Sequence, residues 1–199
     1  MEITNIEVFG FKAAMHGMRN PLNSWDRSDS IFKNPYDDFT IGEEDNKLAI
    51  KLIKAGHDHR KFLRLIHIQF FISIPRYIWQ ELDTYKVATV RLSCSTMHKL
   101  GSVPLDENDF QDKYVLLDTL AELNRLGELY RNNKSVPILR QMKQILPEGF
   151  LQAADYDFNY ETAIAMYHSR KEHRMSEWSK DGICKVIETL PMMDKWLNV

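Results

Sequence analysis

Residues 70–80 read Phe70-Phe71-Ile72-Ser73-Ile74-Pro75-Arg76-Tyr77-Ile78-Trp79-Gln80, and this stretch decides the fold. Its first half continues an alternation in which Leu65, His67 and Gln69 oppose Ile66, Ile68 and Phe70. That two-residue period predicts a strand over Phe62–Ile74. Pro75 then opens a helix reaching about Lys86, because proline is tolerated in a first helical turn, where its missing N–H costs nothing. Val87–Ser95 is β-branched and small, a strand or an ordered loop.

On the N-terminal side, Ile3, Ile6, Val8, Phe9 and Phe11 predict a strand over about Glu2–Phe11. Residues 12–40 follow with Gly17, Pro21, Asn23, Asn34 and Pro35. The segment reads as an unusually long loop, either packed on the surface or a lid over a pocket, and it carries Arg19, Asn20, Trp25 and Arg27. Glu43, Glu44 and Asp45 put acid at a helix start, Leu48, Ile50, Leu52 and Ile53 give an apolar face, and Gly56 stops it.

On the C-terminal side, Leu116, Leu117, Leu120, Leu123 and Leu126 fall near a 3.6-residue period and predict a helix over Phe110–Arg131. Leu116, Leu120 and Leu123 serve either the core or an interface between copies. A short helix over Pro137–Gln144 ends before Pro147, a short strand covers Phe150–Tyr156, and helices cover about Asn159–His173 and Ser176–Glu188. The fold class expected is α+β: a single domain over residues 1–199, with a small mixed or antiparallel sheet flanked by helices that outweigh it.

The 199 residues carry 26 basic and 28 acidic side chains, a net charge of −2. That near-neutral balance speaks against nucleic acid as a partner. The longest apolar stretch, Leu63–Pro75, is broken by Arg64, His67 and Gln69 and is too short to span a bilayer, so no membrane role is expected. Two cysteines, Cys94 and Cys184, fit a reducing compartment, and the expected location is the cytoplasm. His57, His59 and His67 lack a Cys, Asp or Glu at ligand spacing, so no metal is expected. Ser93-Cys94-Ser95 lacks a nucleophile elbow, and no glycine-rich phosphate loop is present. Arg91, Lys143, Arg170, Lys171 and Arg174 are either a phosphate-binding set brought together by the fold or ordinary solvated charges.

Four segments in order carry a resemblance. They are Asp45-Asn46-Lys47-Leu48 through Ala55-Gly56-His57, then Phe70–Gln80, then Ile145-Leu146-Pro147, and last Asn159 through Arg170. Lys143, Pro147, Asn159 and Arg170 keep their spacing without a gap. Over about residues 43–197 the sequence resembles the flavin-dependent thymidylate synthases, which methylate dUMP using FAD and methylenetetrahydrofolate.

The resemblance implies a nucleotide site. Gln80 falls on a glutamine that touches dUMP, Ser93 on the second serine of the family signature, and Lys143 where an arginine approaches dUMP. Arg170 falls on the arginine that contacts the pyrimidine, which makes it the catalytic candidate, and Asn159 falls on an asparagine associated with the flavin. The R-H-R of the signature is replaced, with Asp83-Thr84-Tyr85 in its place, Ser95 stands for the closing arginine, and Glu161 replaces a basic flavin contact. Arg91, four residues before Ser95, is the cation that restores charge. The resemblance also implies a homotetramer. The readings that follow are a FAD-dependent methylation of a dUMP-like nucleotide at C5, a non-catalytic nucleotide-binding protein, and a bare scaffold for interactions.

Overall fold

The computed structural model describes residues 1–34, 38–179 and 181–199. Strand β1 (Glu2–Phe9) leads into helix α1 (Phe11–Arg19), strands β2 (Ile31–Asn34) and β3 (Asp38–Thr40), and helix α2 (Glu43–Lys54). Strand β4 (His67–Pro75) runs directly into α3 (Arg76–Leu82), followed by β5 (Thr89–Ser93) and α4 (Thr96–Lys99). Helices α5 (Leu117–Asn133) and α6 (Val136–Ile145) precede β6 (Leu151–Asn159) and α7 (Tyr160–Arg170). Two short helices, α8 (Ile183–Thr189) and α9 (Met193–Trp196), finish the chain. β1, β4, β6 and β5 form a four-stranded sheet in that order, and β2 pairs antiparallel with β3, Ile31 opposite Thr40 and Phe32 opposite Phe39. The fold is α+β, a small antiparallel sheet with flanking helices, as the sequence leads one to expect.

The chain forms two compact units, one of residues 1–4, 71–85 and 91–155, the other of residues 5–70, 86–90 and 156–199. In the first, α5 and α6 close over a core of Leu100, Phe110, Leu123, Leu126, Met142 and Leu146. Leu123 therefore belongs to the core, whereas Leu116 stands exposed. In the second, Phe11 gathers Phe39, Tyr160 and Trp196 at ring distances of 4.6–6.0 Å, and Phe62 meets Trp196 edge-on. Gly10 is what brings Phe11 there. Its φ of 99° is left-handed, and a Cβ on it would lie 1.9 Å from the Leu65 carbonyl oxygen.

Several predicted boundaries move. The long loop over residues 12–40 is corrected most, because Phe11, Ala14, Met15 and Met18 share one buried helical face and make α1 despite Gly17. Of that loop, Pro35 lies outside the described residues. Its stretch from Arg19 to Ser30 is fastened to α2 rather than hinged like a lid. The buried Asp45 carboxylate accepts from Arg19, from Ser28 Oγ at 2.7 Å and from Ser30 Oγ at 2.6 Å. Asp29 in turn caps α2 by accepting from the Glu44 and Asp45 amides at 2.9 and 3.0 Å. Gly42 has no side chain because Asp29 fills that space, its carboxyl carbon 2.1 Å from where a Cβ would sit.

The predicted strand over Phe62–Ile74 begins at His67. Adjacent Phe62 and Leu63 are both buried, which a strand's alternation forbids and the 3-10 turn at Arg60–Leu65 allows. From Ile66 on, the alternation holds, and Ile66, Ile68, Phe70, Ile72 and Ile74 are all buried. The helix predicted over Pro75–Lys86 spans Arg76–Leu82, with Pro75 as its N-cap. The helix predicted from Phe110 begins at Leu117, since Phe110 is drawn into the core and bridges to Phe150, and Asp112 has positive φ. The predicted strand over Phe150–Tyr156 extends to Asn159. The helix predicted over Ser176–Glu188 starts at Ile183, its approach tied back by Ile183 and Cys184 amides donating to the Glu177 and Trp178 carbonyls. Lys180 in that span lies outside the described residues.

Candidate functional site

In the first unit, β5 and β6 place a connected set of polar side chains. Arg91 on β5 donates from Nη1 to Asp83 Oδ2 at 2.9 Å and from Nη2 to Gln152 Oε1 at 3.0 Å. Its Cζ lies 3.8 Å from the centroid of the Trp79 ring, and Trp79 Nε1 donates to the Gln152 carbonyl at 2.8 Å. Gln152 passes the chain on, donating from Nε2 to the Cys94 carbonyl at 2.9 Å. Two residues further, Thr96 Oγ1 accepts from Lys143 Nζ at 2.9 Å. Ser95 Oγ caps α4 by accepting from the Met97 and His98 amides. The Arg91 Nε is buried and has no hydrogen-bond partner among the described residues.

Two of the predicted cations, Arg91 and Lys143, are thus half-buried in one unit and each held by a neighbour. Ser93 ends β5 in the open. Gln80 on α3 is exposed and donates to Glu148 Oε2 at 2.9 Å; Arg76 reaches the same carboxylate at 3.4 Å. Asp83 is the one charge among residues 83–85 and is engaged with Arg91. Thr84 Oγ1 donates to the Glu81 carbonyl.

Asn159 and Arg170 belong to the other unit, as do Lys171 and Arg174. Asn159, only 3% exposed, is the N-cap of α7, its Oδ1 accepting from the Thr162 amide at 2.9 Å. Arg170 ends α7 with its guanidinium 4.9 Å from the Trp178 ring centroid. Lys171 lies 5.8 Å from the Tyr167 ring.

Glu161, one residue into α7, gathers positive charge from the turn Arg60–Leu65. Its carboxylate accepts from Arg60 Nε at 3.0 Å and from Arg64 Nε, and His57 Nδ1 stands 3.2 Å away. Burial opposes that charge, yet the hydrogen bonds from Arg64 and Arg60 outweigh it and hold the carboxyl below its ordinary range. Asp58 also acts on Arg64 electrostatically, so the two guanidiniums face two carboxylates here. Sequence reasoning placed Glu161 but missed Arg60 and Arg64, which are far away in the chain. Their only local signal was an Arg-x-x-x-Arg spacing. It also missed Gln152 and Thr96, whose importance comes from strand pairing.

Among the described residues no three His, Cys, Asp or Glu side chains gather as a metal would require, and no helix is long and apolar enough to cross a membrane.

No protein-family model matches the sequence, and no curated protein does. Solved structures share the fold. The flavin-dependent thymidylate synthase ThyX from Helicobacter pylori, complexed with FAD and dUMP, superposes with a TM-score of 0.69 at 16% identity, covering 99% of this chain and 97% of that one. The UMP/dUMP methylase PolB from Streptomyces cacaoi, bound with 5-Br dUMP, gives a TM-score of 0.53 at 13% identity, covering 94% of this chain and 86% of that one. At these identities the likeness establishes the fold.

Proposed function

We propose that this chain binds a pyrimidine nucleotide of the dUMP kind. The observation that carries the reading is that Arg91 and Lys143 lie in one unit, each held by a neighbouring side chain, on a fold whose solved examples hold dUMP. Arg91 is stacked on Trp79 and braced by Gln152, so its fork is already oriented for a phosphate and loses little freedom on binding. Lys143 adds a point charge, and Gln80 and Ser93 supply hydrogen bonds.

The flavin fits less well. Residues 83–85 offer a diphosphate one carboxylate and no cation, and that carboxylate already holds Arg91. A catalytic reading, C5 methylation of the nucleotide with FAD and methylenetetrahydrofolate and with Arg170 as the catalytic residue, rests on the two guanidiniums, Arg60 and Arg64, gathered at Glu161. Asn159 could approach a flavin only with the atoms its cap leaves over. Nucleotide binding without flavin is therefore the better-supported reading. In either case a homotetramer in the cytoplasm is the assembly proposed.

Calorimetry with dUMP and UMP tests the reading, beside the visible absorbance of the purified protein with and without added FAD. Heat with a pyrimidine nucleotide and no flavin spectrum is the expected result. No heat with either nucleotide would sink it.

A further inference from the structure

A cavity of about 880 Å³ opens wholly within the second unit, between α1, α2 and the turn Arg60–Leu65. It shares no residue with the nucleotide site proposed above. Met18, Leu22, Leu48, Leu52 and Leu65 supply the aliphatic part of its wall. Leu22 is 83% exposed and Leu65 47% exposed, so two leucines stand open to water beside this hollow.

The charge around that hollow is one-sided. Arg19 is neutralised by Asp45, and Lys47 by Glu43 and Glu44. Arg27 from the turn after α1, Lys51 from α2 and Lys61 from the turn Arg60–Leu65 also line the cavity, and none has an ion-pair partner among the described residues. Asp58 is the one unpaired acid at the rim. Three unpaired cations contributed to one cavity by separate elements suit a group with more than one negative charge, as a phosphate has.

The geometry points to a second site on this chain, for an alkyl phosphate: an aliphatic body among the leucines and a phosphate held by Arg27, Lys51 and Lys61. Met18 and the four leucines suit an alkyl chain better than a nucleobase, since Phe62 is buried and His59 is the one open ring among the lining residues. Phosphate and chain act together, so each alone binds poorly.

Octyl phosphate, used below its micelle-forming concentration, is the probe, with methyl NMR of the full chain as readout. Binding is expected to shift the methyls of Met18, Leu48, Leu52 and Leu65, while octanol and inorganic phosphate each shift them far less. Reversing two exposed cations together, Lys51→Glu with Lys61→Glu, is expected to weaken octyl phosphate by about tenfold or more with an unchanged melting temperature. No shift at these methyls overturns the inference. So does binding that the double variant leaves unchanged, or displacement of octyl phosphate from these methyls by dUMP. Loss of dUMP binding with octyl phosphate intact would count only against the nucleotide reading.

Discussion

The guanidinium carbon of Arg91 lies 3.8 Å from the Trp79 ring centroid, and the same guanidinium holds Asp83 at 2.9 Å. The ring fixes the cation, and the carboxylate competes for it with whatever anion comes to it. Asp83 is about half exposed, so its pair with Arg91 is weak in water, worth at most about 1 kcal/mol. Asp83→Ala is expected to leave stability nearly unchanged and to tighten dUMP by up to about fivefold. Arg91→Ala is expected to cost about tenfold or more in binding, with a smaller stability loss from the vacated ring face. Titration calorimetry on the two variants checks both signs; weaker dUMP binding in Asp83→Ala would show that the carboxylate assists instead of competing.

Asp45 and Arg19 are both buried, and Asp45 also satisfies the hydroxyls of Ser28 and Ser30. Removing one partner strands the other charge away from water. Asp45→Ala is expected to destabilise the protein by about 3–5 kcal/mol. Urea unfolding reads this as a lower midpoint at an unchanged m-value. A midpoint shift equivalent to a surface substitution would mean that residues 19–30 are not anchored through this carboxylate.

These two pairs show how far the sequence could be read. The Ile66–Ile74 alternation and the Pro75 boundary depend on neighbours one or two residues away, and both survive in β4 and α3. The acidic start of α2 was equally visible, but the residue that caps it, Asp29, comes from a segment that reads as turns. Turn-forming residues such as Gly17 hid the apolar period of Phe11, Ala14, Met15 and Met18, and tertiary burial overrode propensity there. Residue types at the site were legible as charges, whereas their partners were not. Arg91 meets Gln152 across 61 positions, and Glu161 meets Arg60 across 101. No local pattern encodes such contacts.

Glu161 and Asp29 give the stability a defined acid dependence. For Asp29, the Glu44 amide is the leading cause and holds the carboxyl below its ordinary 3.8; for Glu161, Arg64 and Arg60 overcome burial and hold it below 4.5. Both titrate lower in the folded than in the unfolded chain. The stability they contribute is therefore fully present above about pH 4.5 and is lost as pH falls through the folded values. Glu161→Gln is expected to flatten the fall of unfolding free energy below about pH 4.5 and to leave its slope above pH 6 or so unchanged. An identical acid limb in wild type and variant would remove Glu161 from this account.

Gly10 sets the entry into α1. Its backbone is left-handed at φ 99°, and a Cβ would collide with the Leu65 carbonyl, which belongs to backbone and cannot swing aside. Gly10→Ala is expected to cost about 3 kcal/mol or more, beyond the 1–2 kcal/mol of left-handed strain alone. Gly56 has a similar φ of 95° but open space around its Cβ position, so Gly56→Ala should show the strain without the collision. Equal losses in the two variants, measured by chemical denaturation, would mean that the approach to Leu65 carries no weight.

Asn159 separates a structural role from a flavin role at one position. Its Oδ1 accepts from the Thr162 amide, so Asn159→Ala is expected to cost about 1 kcal/mol through the lost cap. Asn159→Ser keeps an oxygen of suitable reach for the cap but removes the side-chain N–H groups. If the residue serves only to start α7, Asn159→Ser restores stability and changes no ligand titration. If it also meets a flavin, the serine variant regains stability while FAD binding stays impaired, since a hydroxyl cannot supply two amide donors. The first outcome is expected, in keeping with the absence of any cation at residues 83–85. A stable serine variant that loses a wild-type flavin spectrum would reverse the preference and restore the catalytic reading.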